Sequence, residues 1–126
     1  MEPIDDHVTQ VGDLTAAVEA FYTARNWRRF HSPKNLAMAI AIEAAELMEL
    51  FQWLDNDEAA AQARSGPLRE RLEEELADVL IYGLTLASTL DMDISTIVTR
   101  KLEANARKYP VGSAPRLTPA QDDTGS

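Results

Sequence analysis

PKNLAMAIAIEAAELMELFQWL, residues 33–54, is the stretch that decides the fold. Leu36, Ile40, Glu43, Leu47, Leu50 and Leu54 recur at alternating four- and three-residue steps, the seam of a packed helix. Residues 67–90, PLRERLEEELADVLIYGLTLASTL, repeat the device with Leu68, Leu72, Glu75, Val79, Tyr82 and Leu86. Each seam carries a glutamate where a leucine is expected. Each glutamate is also followed three residues later by a second acid, Glu46 and Asp78, so both members of a pair project from one side of their helix. A lone acidic pair at that spacing usually marks a solvated face. Two pairs on apolar seams are a different case, because a buried, unpaired carboxylate costs on the order of several kcal/mol. Something positive must meet these groups.

The chemistry of that positive group is narrowed by what is missing. A carboxylate-bridged di-iron bundle needs Glu-x-x-His on two helices, and His7 and His31 fall in neither motif. There is no cysteine, hence no thiolate site and no disulfide framework. Four converging oxygens from Glu43, Glu46, Glu75 and Asp78 suit a hard divalent cation, Mg²⁺ with Mn²⁺ as a substitute. Glu73 and Glu74 rotate away from that face and read as solvated.

Composition sets the outer limits. At 126 residues the chain has room for one ordinary core. Its 21 acids against 12 Lys and Arg leave a formal charge of -9, which argues against a nucleic-acid binder relying on a basic surface. A nucleotide ligand is still compatible, since a bound cation reverses the local field. The N-terminus MEPIDDHVTQ has no apolar run of the secretory kind. The apolar stretch from Leu76 to Leu90 carries Asp78 and is too short for a bilayer. The expectation is a soluble, cytoplasmic protein with neither a membrane nor a nucleic-acid partner.

Helical signals fill most of the chain, predicting an all-α, four-helix bundle. The first helix runs from about Val11 to Arg25. The second opens with Ser32 as N-cap and Pro33 at the first helical position, and continues to about Leu54. The segment from Asp57 to Ser65 has room for one further helical turn. The third helix spans Pro67 to about Leu90, and the fourth runs from Asp93 as N-cap toward Tyr109, where Pro110 stops it. Residues 1–112 form the expected domain and 113–126 a disordered tail poor in apolar anchors. Phe51, Leu80, Leu84 and Ala87 are left over once the seams are buried, which predicts a homo-oligomer, a dimer or a dimer of dimers.

Glu43-Ala-Ala-Glu46 followed by Glu75-Leu-Ala-Asp78 resembles the E-x-x-E…E-x-x-D signature of the MazG-like all-α nucleoside triphosphate pyrophosphatases. Asn26-Trp27-Arg28-Arg29-Phe30-His31-Ser32-Pro33-Lys34-Asn35-Leu36 and Glu49-Leu50-Phe51-Gln52-Trp53 are similar to the dCTP pyrophosphatase branch. So are Glu74 to Tyr82 and the series Lys101, Asn105 and Arg107-Lys108-Tyr109-Pro110. The resemblance spans roughly residues 14–112. It implies Mg²⁺-dependent cleavage of a (d)NTP, dCTP or a 5-modified dCTP, to the monophosphate and pyrophosphate, a house-cleaning reaction on the nucleotide pool. It also implies an oligomer whose sites are often shared between subunits. Such transfer needs charge neutralisation and an oriented water more than covalent chemistry. Within the quartet, Glu46 is the candidate general base.

The base needs its own readers. Trp53 is seven residues from Glu46, two turns along the same face, and Tyr82 is four from Asp78. Aromatic groups at the matching family positions line the base pocket, and His31 occupies the position of a histidine there. Trp27 joins them as a lesser candidate. Lys101 and Asn105, four apart on one face, match family positions that contact phosphates or sugar, with Lys108 beside them. For Arg107 and Lys108 the helix dipole alone is a sufficient account. The competing readings are a broad NTP or dUTP pyrophosphatase, a phosphoribosyl-ATP hydrolase, and a non-catalytic nucleotide- or metal-sensing module.

Overall fold

The computed structural model describes residues 4–114; most of the expected tail, from Pro115 onward, lies outside them. Among the described residues the chain is all helix and turn. Its order is α1 (Val11–Ala24), a short 3₁₀ turn (Arg28–Phe30), α2 (Pro33–Glu49), α3 (Asn56–Gln62), α4 (Pro67–Thr89) and α5 (Ile94–Lys108). None of these helices is long and apolar enough to cross a membrane.

Local chemistry explains the boundaries. Ser32 Oγ accepts the Asn35 backbone N–H at 3.2 Å, with Pro33 at the first position of α2. Before Pro67, which starts α4, Gly66 takes φ 94°, a left-handed value that favours glycine. Both α1 and α4 end in Schellman motifs around a left-handed residue, Asn26 and Asp91, each at φ 54°. After α1 the Trp27 N–H donates to Tyr22 O and the Asn26 N–H to Thr23 O; after α4 the Met92 N–H donates to Ala87 O.

Two boundaries differ from the sequence expectation. The helix expected to reach Leu54 stops at Glu49, and residues 51–54 continue in tighter turns, with Phe51 N–H to Met48 O and Leu54 N–H to Phe51 O. Asp55 is the competing influence. Its carboxylate accepts the Glu58 N–H at 2.8 Å and caps α3, so the residue just past the expected helix end begins a new helix. The described residues therefore hold five α-helices, not four, the additional one being the two-turn α3.

The chain divides between Asp93 and Ile94 into two compact units. In the first, α2 packs along α4 and α1 packs on α4 as well. Tyr22, Leu36 and Ala87 are its buried apolar residues, joined by Thr85, whose hydroxyl donates to Ile81 O at 2.7 Å. This core is small. Met38, Ile42 and Met48 on α2, and Leu76 and Leu80 on α4, are exposed. The second unit contains α5, closed by Tyr109 N–H to Asn105 O.

Leu36, 1% exposed, is the most deeply buried large side chain. Leu36→Ala is expected to cost about 2–5 kcal/mol of stability. Urea unfolding followed by circular dichroism checks this, and a loss below 1 kcal/mol, roughly the cost of an exposed change, contradicts it.

Candidate functional site

The acids expected on two seams meet between α2 and α4. Carboxylate oxygens of Glu43, Glu75 and Asp78 all lie within 4.8 Å of one another. Glu43 Oε2 and Glu75 Oε2 are buried and have no hydrogen-bond partner among the described residues. Glu46 is exposed and stands outside this close trio, yet its charge reaches both glutamates.

Electrostatics shows the cost of this apposition. Burial first, then Glu46, Asp78 and Glu75, push the Glu43 carboxyl from its ordinary 4.5 up to about 7. Glu75 moves the same way, through burial and then the charge of Glu46. The Tyr82 phenol is raised by burial and by nearby Tyr22, Glu43 and Asp78. Two orphaned carboxylate oxygens facing a third acid are what an oxygen-ligated divalent cation fits; the residues present match that group in donor type.

Two cavities flank the acids. The first, about 490 Å³, is mostly apolar and is lined by Phe21, Tyr22, Trp27, His31, Tyr82 and, from the acid trio, Asp78. The Schellman turn after α1 builds its wall. It brings Trp27 back to 6.0 Å from Tyr22, ring to ring, while Phe21 meets Trp27 edge-on at 5.7 Å. The 3₁₀ turn then delivers His31, whose ring stands edge-on to Tyr22 at 4.2 Å. Burial and then Arg28 lower its pKa, so the imidazole is neutral at pH 7.

The second cavity, about 540 Å³, is mainly polar and is lined by Glu46, Glu49, Gln52, Trp53, Arg71 and Glu75. Trp53 thus lies apart from Trp27, His31 and Tyr82, and is 86% exposed. It lines the same cavity as Glu46, from which its place was expected, although α2 itself ends at Glu49. Lys101, Asn105 and Lys108 lie on α5 in the second unit, where the Lys108 ammonium stands 5.4 Å from the centre of the Tyr109 ring.

Sequence reasoning missed Phe21, Tyr22 and Arg71. The signal for the first two was present in Tyr22-Thr-Ala-Arg-Asn26-Trp27, where a left-handed Asn folds the following aromatic back onto the helix. Arg71 stands four residues before Glu75, one turn away on the same face.

An all-α chain that gathers carboxylates from two packed helices beside an aromatic cavity is a helical carboxylate-centre protein. The MazG-like family model matches residues 38–120, and the chain belongs to that family. It is 43% identical over 110 residues to dCTP pyrophosphatase 1 of Bos taurus, covering 84% of this chain and 65% of that protein. The Homo sapiens dCTP pyrophosphatase 1 is 43% identical over 98 residues, 78% of this chain and 58% of that one. The chain therefore spans about two thirds or less of the length of these curated relatives. A crystal structure of a pyrophosphatase from Archaeoglobus fulgidus DSM 4304 superposes with a TM-score of 0.71 at 41% identity, covering 86% of this chain and 99% of that one.

The raised Glu43 pKa has a direct consequence for the metal-free protein. The folded state favours the protonated form, so the penalty is absent below pH 4.5, grows between 4.5 and about 7, and is complete above. In EDTA, the melting temperature is expected to fall as pH rises through that window. Glu43→Gln flattens the slope, and Mg²⁺ restores stability at pH 8. An equal slope in wild type and Glu43→Gln contradicts the assignment.

Proposed function

We propose that this chain hydrolyses a deoxynucleoside triphosphate of the dCTP type, dCTP or a 5-modified dCTP, to the monophosphate and pyrophosphate, with Mg²⁺ as cofactor. One observation carries the reading: two orphaned carboxylate oxygens face Asp78 at the mouth of an aromatic cavity. The family membership and the dCTP pyrophosphatase relatives support the same substrate class.

Glu43, Glu75 and Asp78 would hold the cation, with Glu46 at the rim as a fourth ligand or as the base that takes a proton from water. When bound, Mg²⁺ supplies positive charge to phosphate oxygens and acidifies water. The chain does the positioning. Trp27, Tyr82 and Phe21 offer ring faces and edges to a base, each stacked contact being worth about 1–3 kcal/mol. His31, neutral and tucked against Tyr22, supplies one donor and one acceptor at the pocket wall. Lys101, Asn105 and Lys108 are assigned to the phosphates or sugar.

The working form in this proposal is a homo-oligomer in the cytosol. The supporting observation is the apolar surface that a single chain leaves exposed, including Met38, Ile42, Leu76 and Leu80. The exposed Trp53 ring, away from the other aromatics, is then available to a site on a second copy.

The test is pyrophosphate release from the common NTPs and dNTPs plus 5-methyl-dCTP, with Mg²⁺ or EDTA. The expected result is Mg²⁺-dependent release with dCTP-type preference, and roughly a 100-fold or greater loss in Glu75→Gln or Asp78→Asn. Equal release across bases keeps the hydrolase and removes the base-pocket assignment. No release from a folded protein overturns the proposal.

A further inference from the structure

Three of the four acids are divided between the two cavities. Asp78 lines the aromatic one, while Glu46 and Glu75 line the polar one. In the hydrolase reading above, a substrate with its base in the first cavity and its phosphates on the carboxylates has the second cavity open to its outer phosphates. That second cavity holds a single basic side chain, Arg71, one helical turn before Glu75.

Arg71 is also uncommitted. Glu46, Glu49 and Glu75 share its cavity, yet none approaches its guanidinium within the 4.0 Å of an ion pair among the described residues. Arg69, two residues earlier, behaves differently and is held by Glu73 at 2.8 Å. A guanidinium is a planar fork of donors matched to phosphate oxygens, and it stays charged at any working pH. The lining of this cavity is otherwise acidic, so Arg71 is the one side chain of that lining whose charge opposes repulsion of a phosphate there.

We infer that Arg71 grips the β- and γ-phosphates and hence the departing pyrophosphate. This assignment rests on the hydrolase reading above and adds a residue to it. In the cleavage, water adds to the α-phosphorus and yields a proton to the base, the bond from that phosphorus to the α–β bridging oxygen breaks, and pyrophosphate leaves with that oxygen and its electron pair. Arg71 contacts the leaving group and takes no proton.

The experiment compares wild type, Arg71→Ala, Arg71→Lys and Arg69→Ala for dCTP turnover, and for inhibition by Mg²⁺-pyrophosphate and by dCMP. Losing a charge-assisted phosphate contact is expected to lower kcat/KM of Arg71→Ala about 10- to 100-fold. Pyrophosphate inhibition should weaken by a similar factor, while dCMP inhibition stays within about twofold. Arg71→Lys recovers part of the loss, and Arg69→Ala matches wild type. Circular dichroism melting of each variant verifies the fold. Wild-type turnover unchanged in Arg71→Ala overturns the Arg71 assignment alone, as does equal weakening of dCMP and pyrophosphate. Absence of dCTP turnover in the wild type overturns the underlying reading, and the assignment falls with it.

Discussion

Everything distinctive in this protein follows from placing Glu43 against Glu75 where two helices pack. Neither Oε2 has a partner among the described residues, and burial drives the Glu43 pKa to about 7. Leucines at these seam positions would have stabilised the pair of helices by ordinary burial instead. The arrangement is intelligible once a cation is added, since positive charge converts mutual repulsion into shared attraction. The fold thus stores a strong electrostatic demand at its centre, and α1 is arranged to make that centre useful.

That arrangement is economical in sequence terms. The last turn of α1, one left-handed Asn26 and one 3₁₀ turn supply Tyr22, Trp27 and His31 to a single cavity. The aromatic wall is held by ring-to-ring contacts within this short segment, and Phe21 is further covered by the Arg25 guanidinium 3.7 Å above its ring. The pocket is therefore a local structure docked onto α4, where Tyr82 and Asp78 complete it. On the other side of the acids the walls are polar, so the site has an aromatic end and an ionic end. A nucleotide has the same polarity.

Much of this was legible in the chain. The seam spacing around Glu43 and Glu75, the Ser32-Pro33 and Gly66-Pro67 starts, and the i,i+3 acids are local signals, and the helices obey them. The MazG-like resemblance added the family, which the family model bears out. What failed to show was governed by competition or by tertiary packing. Leu50 and Leu54 kept the seam period although α2 had ended, because three-residue turns preserve nearly the same spacing. The role of Asp55 as the cap of α3 depended on the Ala-rich segment after it becoming a helix. Trp53 accordingly stays in the cavity of Glu46, apart from Trp27, His31 and Tyr82. Tyr22 and Phe21 stand at ordinary apolar positions of α1, and the left-handed turn at Asn26 together with the packing of α1 on α4 brings them to a cavity.

The central claim is that the carboxylates of α2 and α4 form one cation site. Its most direct test is a Mn²⁺ titration at pH 8 followed by electron paramagnetic resonance of the free ion, with a non-hydrolysable α,β-methylene dCTP present. The account predicts saturable loss of the free Mn²⁺ signal in the wild type. Removing either buried carboxylate, in Glu43→Gln or Glu75→Gln, should weaken binding about tenfold or more. Binding that is unchanged in both variants, or absent from the wild type, contradicts it.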